Sequence, residues 1–115
     1  VEEEHEMDAV TALSGSGPAY FFMIMEALEA AGIKAGLNQK TAQLLTQETA
    51  LGAAKMALES SEPASVLRQR VTSPGGTTER AIGILEEQGL RDILQAALLG
   101  AKERSIELSD ELGNN

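Results

Sequence analysis

The sequence predicts an all-α protein, because most of its hydrophobic residues are helix-forming types that recur with a helical period. Of 115 residues, 43% are hydrophobic but only 3% aromatic, so Ala, Leu, Ile and Met must form the core. Glycine and proline separate the periodic segments, and no segment alternates convincingly as a strand does. We expect one domain, residues 1–115, built as a bundle of about five to six helices.

Charge and composition exclude several classes of function. A net charge of −9 argues against a basic patch for nucleic acid or for an anionic membrane. No apolar run approaches the roughly 20 residues that span a bilayer, and no signal peptide is visible. The chain has no cysteine, which suits a cytoplasmic protein, and His5 lacks a second His or Cys at metal-ligand spacing. We expect no metal, and the start at Val1 suggests a fragment of a longer or processed polypeptide.

Two segments precede the first long helix. An acidic run covers Val1–Asp8, and Asp8 is predicted to cap the short apolar segment that follows. The stretch SGSGP, Ser14–Pro18, lacks the lysine of a phosphate loop, so it predicts a break between helices with Pro18 in the first turn. The alternative is that another chain approaches closely at its glycines.

The first long helix is predicted over Ala19–Ala31; Gly32 and Gly36 should end it and shape the turn, with Gly32 as the C-cap. Its segment Tyr20–Met25 is apolar on all sides, which one small bundle cannot cover. We therefore expect an obligate dimer.

The later helices follow from caps and periodicity. Asn38 should cap a helix that runs to about Ser60, and Pro63 should open a short helical turn through Arg70. A final amphipathic helix is predicted from Leu90 to about Leu112.

The stretch VTSPGGTTERAIGIL, Val71–Leu85, predicts a loop that leads into a helix beginning near Thr77. Gly75 and Gly76 permit left-handed backbone and leave room for a ligand. A helix start has free N–H donors and a partial positive charge, so it suits a carboxylate or phosphate. The alternative is a Pro-Gly turn followed by a Thr-capped helix that binds nothing. Arg68 and Arg70 lead into the loop, either as ligand contacts or as solvated side chains.

Four segments in order carry a resemblance to a known family: DAVTALSGSGPAY (Asp8–Tyr20), AGIKAGL (Ala31–Leu37), LGAAKM (Leu51–Met56) and VTSPGGTTERAIGILEEQG (Val71–Gly89). Together they resemble pyrroline-5-carboxylate reductase over nearly the whole chain. The resemblance implies the C-terminal helical domain, similar to that of 6-phosphogluconate dehydrogenase, which forms an intertwined homodimer and often larger rings of dimers. It also implies that the N-terminal domain for NADPH or NADH is absent, since no GxGxxG follows a strand.

The resemblance implies specific roles for the loop. The substrate is a cyclic imine with one carboxylate, 1-pyrroline-5-carboxylate, which becomes L-proline in proline biosynthesis. Amides near Thr77 and Thr78, with the Ser73 hydroxyl, would bind the carboxylate, and Gly75 and Gly76 would allow its approach. The Thr78 hydroxyl would lie near the ring nitrogen as an orienting group or proton relay.

The resemblance also matches Glu4 to an acidic residue near the substrate, and Arg70 to a cofactor contact whose residue type varies in the family. Thr72 and Thr77 depart from the small residues that members often have there. The isolated chain should show no reductase activity. The alternatives are a non-catalytic helical dimerisation or interaction module, and a related imine or ketone reductase.

Overall fold

The computed structural model describes residues 2–113, with side chains from residue 5 onward. Within that range every regular element is helical, which confirms the all-α class and the expected number of helices. The elements are α1 (Glu2–Val10), a π-helix (Thr11–Gly15), α2 (Gly17–Lys34), α3 (Gln39–Glu59), α4 (Ala64–Arg70), α5 (Thr77–Glu87) and α6 (Leu90–Gly113). The break at SGSGP is confirmed, with Pro18 in the first turn of α2.

The chain divides into two compact units, of which the first contains the residues up to Phe22 and those from Leu85 onward. In this unit α1 and the π-helix pack against each other and against α6. Ala12 is fully buried, and the Tyr20 hydroxyl donates a hydrogen bond of 2.6 Å to the Ala12 carbonyl. That bond supplies a side-chain donor to a carbonyl of the π-helix.

Asp8 does not cap a helix, so that prediction is wrong. The acidic run is itself helical from Glu2, which places Asp8 inside α1. Its side chain is buried, and its Oδ1 accepts a hydrogen bond of 2.7 Å from the Ser105 hydroxyl on α6. A buried carboxylate needs such a donor to offset its lost hydration, so the bond joins the two ends of the chain.

Replacing Ser105 with alanine removes this donor and leaves the Asp8 carboxylate buried without it. We expect the free energy of unfolding to fall by about 1–3 kcal/mol, measured by urea denaturation at fixed protein concentration. The matched control is Ser109→Ala on the exposed side of α6, which should cost less than about 0.5 kcal/mol. Equal losses in the two variants would show that the hydrogen bond contributes nothing specific.

A tight corner joins α5 to α6 in the same unit. Gly89 has a φ of +81°, and its amide donates a hydrogen bond of 3.1 Å to the Glu86 carbonyl. Arg91 Nε donates a hydrogen bond of 2.8 Å to Glu86 Oε1 across the corner. This hydrogen bond, with the charge of Glu86, raises the pKa of Arg91 above its ordinary value.

The second unit contains residues 23–84, and α2 ends inside it at Lys34, so the glycine that closes the helix is Gly36 and not the predicted Gly32. The Leu37 amide donates to the Gly32 carbonyl and the Gly36 amide to the Ile33 carbonyl, each at 3.0 Å. With a φ of +120° at Gly36, this is a Schellman ending. Gly32 lies inside the helix, where a Cβ would be in ordinary contact, 3.4 Å from Leu37 Cδ1 and 3.5 Å from Ala42 Cβ.

The cap of α3 is confirmed, because Asn38 Oδ1 accepts a hydrogen bond of 2.8 Å from the Thr41 amide. Ala42 is buried in the first turns of this helix. Pro63 is the N-cap of α4 and not its first helical residue, one position from the prediction. Its carbonyl accepts bonds from the Val66 and Leu67 amides, which start the helix.

Large apolar side chains of α2 and α3 are left exposed. Phe21 is 68% exposed, Met23 72% and Leu58 87%, and the neighbouring Phe22 and Ile24 are also exposed. Among residues with described side chains, the buried hydrophobic ones are only Ala12 and Ala42. These faces therefore lack the cover that apolar side chains of a stable domain need.

Within residues 2–113, no helix combines the length and the apolar character needed to cross a membrane.

Candidate functional site

The loop before α5 contains a tight turn over Ser73–Gly76. The Gly76 amide donates a hydrogen bond of 3.0 Å to the Ser73 carbonyl, and Gly75 has a φ of +74°. Pro at the second position and a left-handed glycine at the third are typical of a type II turn. A Cβ at Gly76 would lie only 3.2 Å from the Ser73 carbonyl oxygen, so a side chain there would crowd the turn.

Helix α5 begins directly after this turn with its first amides unpaired. The Arg80 amide donates a hydrogen bond of 3.3 Å to the Gly76 carbonyl. This is the first bond of the helix, so Gly76 is the N-cap. Among the residues that the structure describes, the amides of Thr77, Thr78 and Glu79 have no acceptor. The alternative of a Thr-capped helix is therefore wrong in its cap, because Thr77 is already the first helical residue and Gly76 has no side chain.

Hydroxyl groups stand beside these donors. Ser73 and Thr77 are exposed and Thr78 is half-buried. Within the described part of the chain, none of the three hydroxyls makes a hydrogen bond. Free amides at a helix start carry partial positive charge, so this end of α5 can accept a small anion, with hydroxyls available to the same ligand.

The glycine amides of the loop are not available to a ligand. The Gly76 amide donates a hydrogen bond to the Ser73 carbonyl within the turn, and the Gly75 amide donates one of 3.0 Å to Glu79 Oε1. Gly75 and Gly76 therefore shape the loop, while Thr77 and Thr78 offer donors. Sequence reasoning did not select Glu79, because Gly76 occupies the position where a capping box has Ser or Thr, three residues before the acidic side chain.

Arg68, in the last turn of α4, forms backbone hydrogen bonds with the start of the loop. Its carbonyl accepts a hydrogen bond of 2.6 Å from the Thr72 hydroxyl and one of 3.2 Å from the Val71 amide. Arg70 Nη2 lies 3.5 Å from Glu62 Oε1, and both side chains are largely exposed. An exposed pair of this kind contributes little to stability, so the Arg70 guanidinium can exchange this partner for another anion at small cost.

Two other sequence assignments concern the N-terminal helix. The backbone of Glu4 lies in α1, but its side chain is outside the described residues. His5 is exposed, and the described residues contain no cluster of His, Cys, Asp and Glu that could hold a metal ion.

Fold and loop together define a class: an all-helical domain with uncovered apolar faces, in which a glycine turn presents a helix start suited to a small anion. The family model described as pyrroline-5-carboxylate reductase dimerisation matches residues 4–108. The chain belongs to this family.

Curated relatives with the name pyrroline-5-carboxylate reductase agree with that match. The protein from Pseudomonas aeruginosa is 52% identical over 113 residues, which is 98% of this chain and 41% of the relative. The protein from Pasteurella multocida is 46% identical over 94% of this chain and 40% of the relative. The chain thus spans about two fifths of the length of these relatives.

Solved structures give the same result. A pyrroline-5-carboxylate reductase from Coxiella burnetii matches with a TM-score of 0.88 and 54% identity, over 90% of this chain and 38% of that one. The Plasmodium falciparum pyrroline carboxylate reductase with NADP bound matches with a TM-score of 0.85 and 35% identity, over 88% and 38%. The helical fold is therefore that of the corresponding part of these enzymes.

Proposed function

We propose that residues 1–115 are the C-terminal dimerisation and substrate-binding domain of a pyrroline-5-carboxylate reductase. The whole enzyme would reduce 1-pyrroline-5-carboxylate to L-proline with NADPH or NADH, an oxidoreductase step of proline biosynthesis. The observation that carries the proposal is the pair of unpaired Thr77 and Thr78 amides behind the Ser73–Gly76 turn. The names of the relatives and the family match add support.

The loop residues suit this substrate. The Thr77 and Thr78 amides, with the Ser73 hydroxyl, bind its carboxylate, and the helix start stabilises that negative charge. The Thr78 hydroxyl then lies toward the ring nitrogen and accepts a hydrogen bond from the protonated imine, which orients the C=N bond. A bound nicotinamide supplies hydride to the imine carbon. We treat Thr78 as an orienting group first, because a threonine hydroxyl alone is a weak acid.

The proposal also includes contacts to the dinucleotide and one further residue near the substrate. The dinucleotide would be held mainly by an N-terminal domain that these 115 residues do not match. Arg70 would add a cofactor contact, for which its weak pairing with Glu62 leaves it free. Glu4 would lie near the substrate.

The assembly follows from the exposed apolar faces of α2 and α3. We propose that they are covered by a second copy in an intertwined homodimer, from which rings of dimers can be built. The description of the family supports a dimer. We assign the enzyme to the cytoplasm, where the absence of cysteine is compatible with reducing conditions.

Two measurements test the reductase proposal. Titration of the ¹⁵N-labelled chain with L-proline should shift the Thr77 and Thr78 amide signals saturably, while signals of α6 stay in place. The chain alone should not reduce the imine. A chimera in which it replaces the matching segment of the Pseudomonas aeruginosa relative should do so with NADPH or NADH. Turnover by the isolated chain would contradict the proposal.

The exposed apolar faces also favour a second candidate, a non-catalytic helical dimerisation module. If the Thr77 and Thr78 amide signals do not shift during the titration and the chimera is inactive, this second candidate is supported. A related imine or ketone reductase is distinguished by the chimera's preference for an imine without a carboxylate.

A further inference from the structure

We propose that Glu79 is a positioning residue that holds the substrate loop in its binding form and sets the affinity of the carboxylate site. The inference rests on the proposed function, since it assigns a role toward the same ligand. It uses a side chain that sequence reasoning left without a role.

The geometry of Glu79 supports this role. Glu79 Oε1 accepts a hydrogen bond of 3.0 Å from the Gly75 amide, four residues back across the turn. Gly75 is the left-handed residue of that turn, so the carboxylate restrains the position with the most backbone freedom. The bond ties the first turn of α5 to the loop, and thereby holds the Ser73 hydroxyl in place relative to the Thr77 and Thr78 amides.

The pairing also removes a competing donor. A free Gly75 amide could attract the ligand away from the helix start, or let the loop sample other conformations. With Gly75 and Gly76 both paired inside the loop, the free amides that follow them along the chain are those of the first turn of α5. The site is then preorganised, and binding has less conformational freedom to remove.

The charge of Glu79 acts in the opposite direction. A carboxylate in the first turn stabilises the helix but repels a second carboxylate at the same helix start. Because Glu79 is exposed, solvent and salt reduce this repulsion, and it should change affinity by only about twofold. Glutamine separates the two effects, since it keeps the acceptor oxygen and removes the charge.

The experiment compares Glu79→Ala and Glu79→Gln with the unchanged chain by NMR titration with L-proline. Alanine should weaken binding about three- to tenfold, the factor expected for one lost hydrogen bond, and should speed hydrogen exchange of the Gly75 amide. Glutamine should keep that amide protected and bind L-proline equally well or up to about twofold more tightly. Both variants lose the same helix-stabilising charge, so a purely structural effect would weaken them alike.

The matched control is Glu87→Ala, which removes an exposed carboxylate from the last turn of the same helix and should leave binding unchanged. If the unchanged chain binds L-proline and E79A binds it equally well, the role of Glu79 is overturned while the proposed function stands. Equal weakening in E79A and E79Q would also overturn it. Absence of binding by the unchanged chain rejects the proposed function, and the inference with it.

Discussion

Replacement of Thr78 with valine in the chimeric reductase should lower kcat about 10- to 100-fold with a smaller change in KM. Valine has nearly the shape of threonine but cannot hydrogen-bond the protonated ring nitrogen. A hydrogen bond to a charged group contributes about 1.5–3 kcal/mol, and without it the bound C=N bond is no longer held in the orientation for hydride transfer, which lowers kcat. The Thr78 amide remains in the variant, so carboxylate binding is largely kept. Steady-state kinetics at varied imine concentration separate the two parameters.

Thr78→Ser is the matched rescue, because serine restores a hydroxyl at the same Cβ, and it should recover most of the lost kcat. Thr77→Ala should cost less than T78V, since Thr77 is proposed to act through its amide. Should T78V keep full kcat, the orienting role of this hydroxyl is wrong, although the carboxylate-binding role of the loop would remain.

Introduction of a charge at an exposed apolar position of α2 should dissociate the expected dimer. Phe21 and Met23 are 68% and 72% exposed within one chain, and burial of each such side chain contributes about 1.5–3 kcal/mol. A symmetric dimer buries each residue twice. Phe21→Glu or Met23→Glu should therefore raise the dissociation constant at least about a hundredfold, measured by light scattering over a micromolar concentration series.

The control for added charge is Gln88→Glu, at an exposed position after α5, which should leave the mass of the dimer unchanged. Circular dichroism reports whether a dissociated variant keeps its helices or unfolds, and either result is consistent with a dimer-dependent core. A monomeric mass for the unchanged chain at micromolar concentration would contradict the predicted dimer. F21E and M23E proteins that both keep the mass of a dimer would contradict the role of α2 in its interface.

Caps and turns are the features that local sequence predicts well. Asn38 caps α3, Gly75 adopts a left-handed backbone, and α5 begins at Thr77, all as expected. Each depends on chemistry within about four residues: a side-chain acceptor near free amides, or the absence of a Cβ. The C-cap at Gly32 was wrong because two glycines compete: the helix continues through Gly32 to Lys34, and the left-handed backbone is at Gly36.

The candidate site also has features that local sequence predicts and contacts that it does not predict. Pro74, the two glycines and the helix start could be read from the sequence, because turn and N-terminus follow from neighbouring residues. The hydrogen bond from the Gly75 amide to Glu79, which leaves the amides of Thr77 and Thr78 as the first free ones after the turn, could not be predicted. Several acceptors near a loop can take one amide, and only the three-dimensional path of the chain selects among them.

The sequence by itself determined the helical class, the order of the helices, the glycine turn before α5 and an excess of apolar surface on the first long helix. Helical period, capping chemistry and backbone freedom are local properties, and they need no knowledge of distant residues. Only the tertiary structure decided that Asp8 is buried against Ser105 and that Phe21 and Met23 stay uncovered in one chain. Burial depends on which segments meet, and residues 97 positions apart meet through the path of the whole chain.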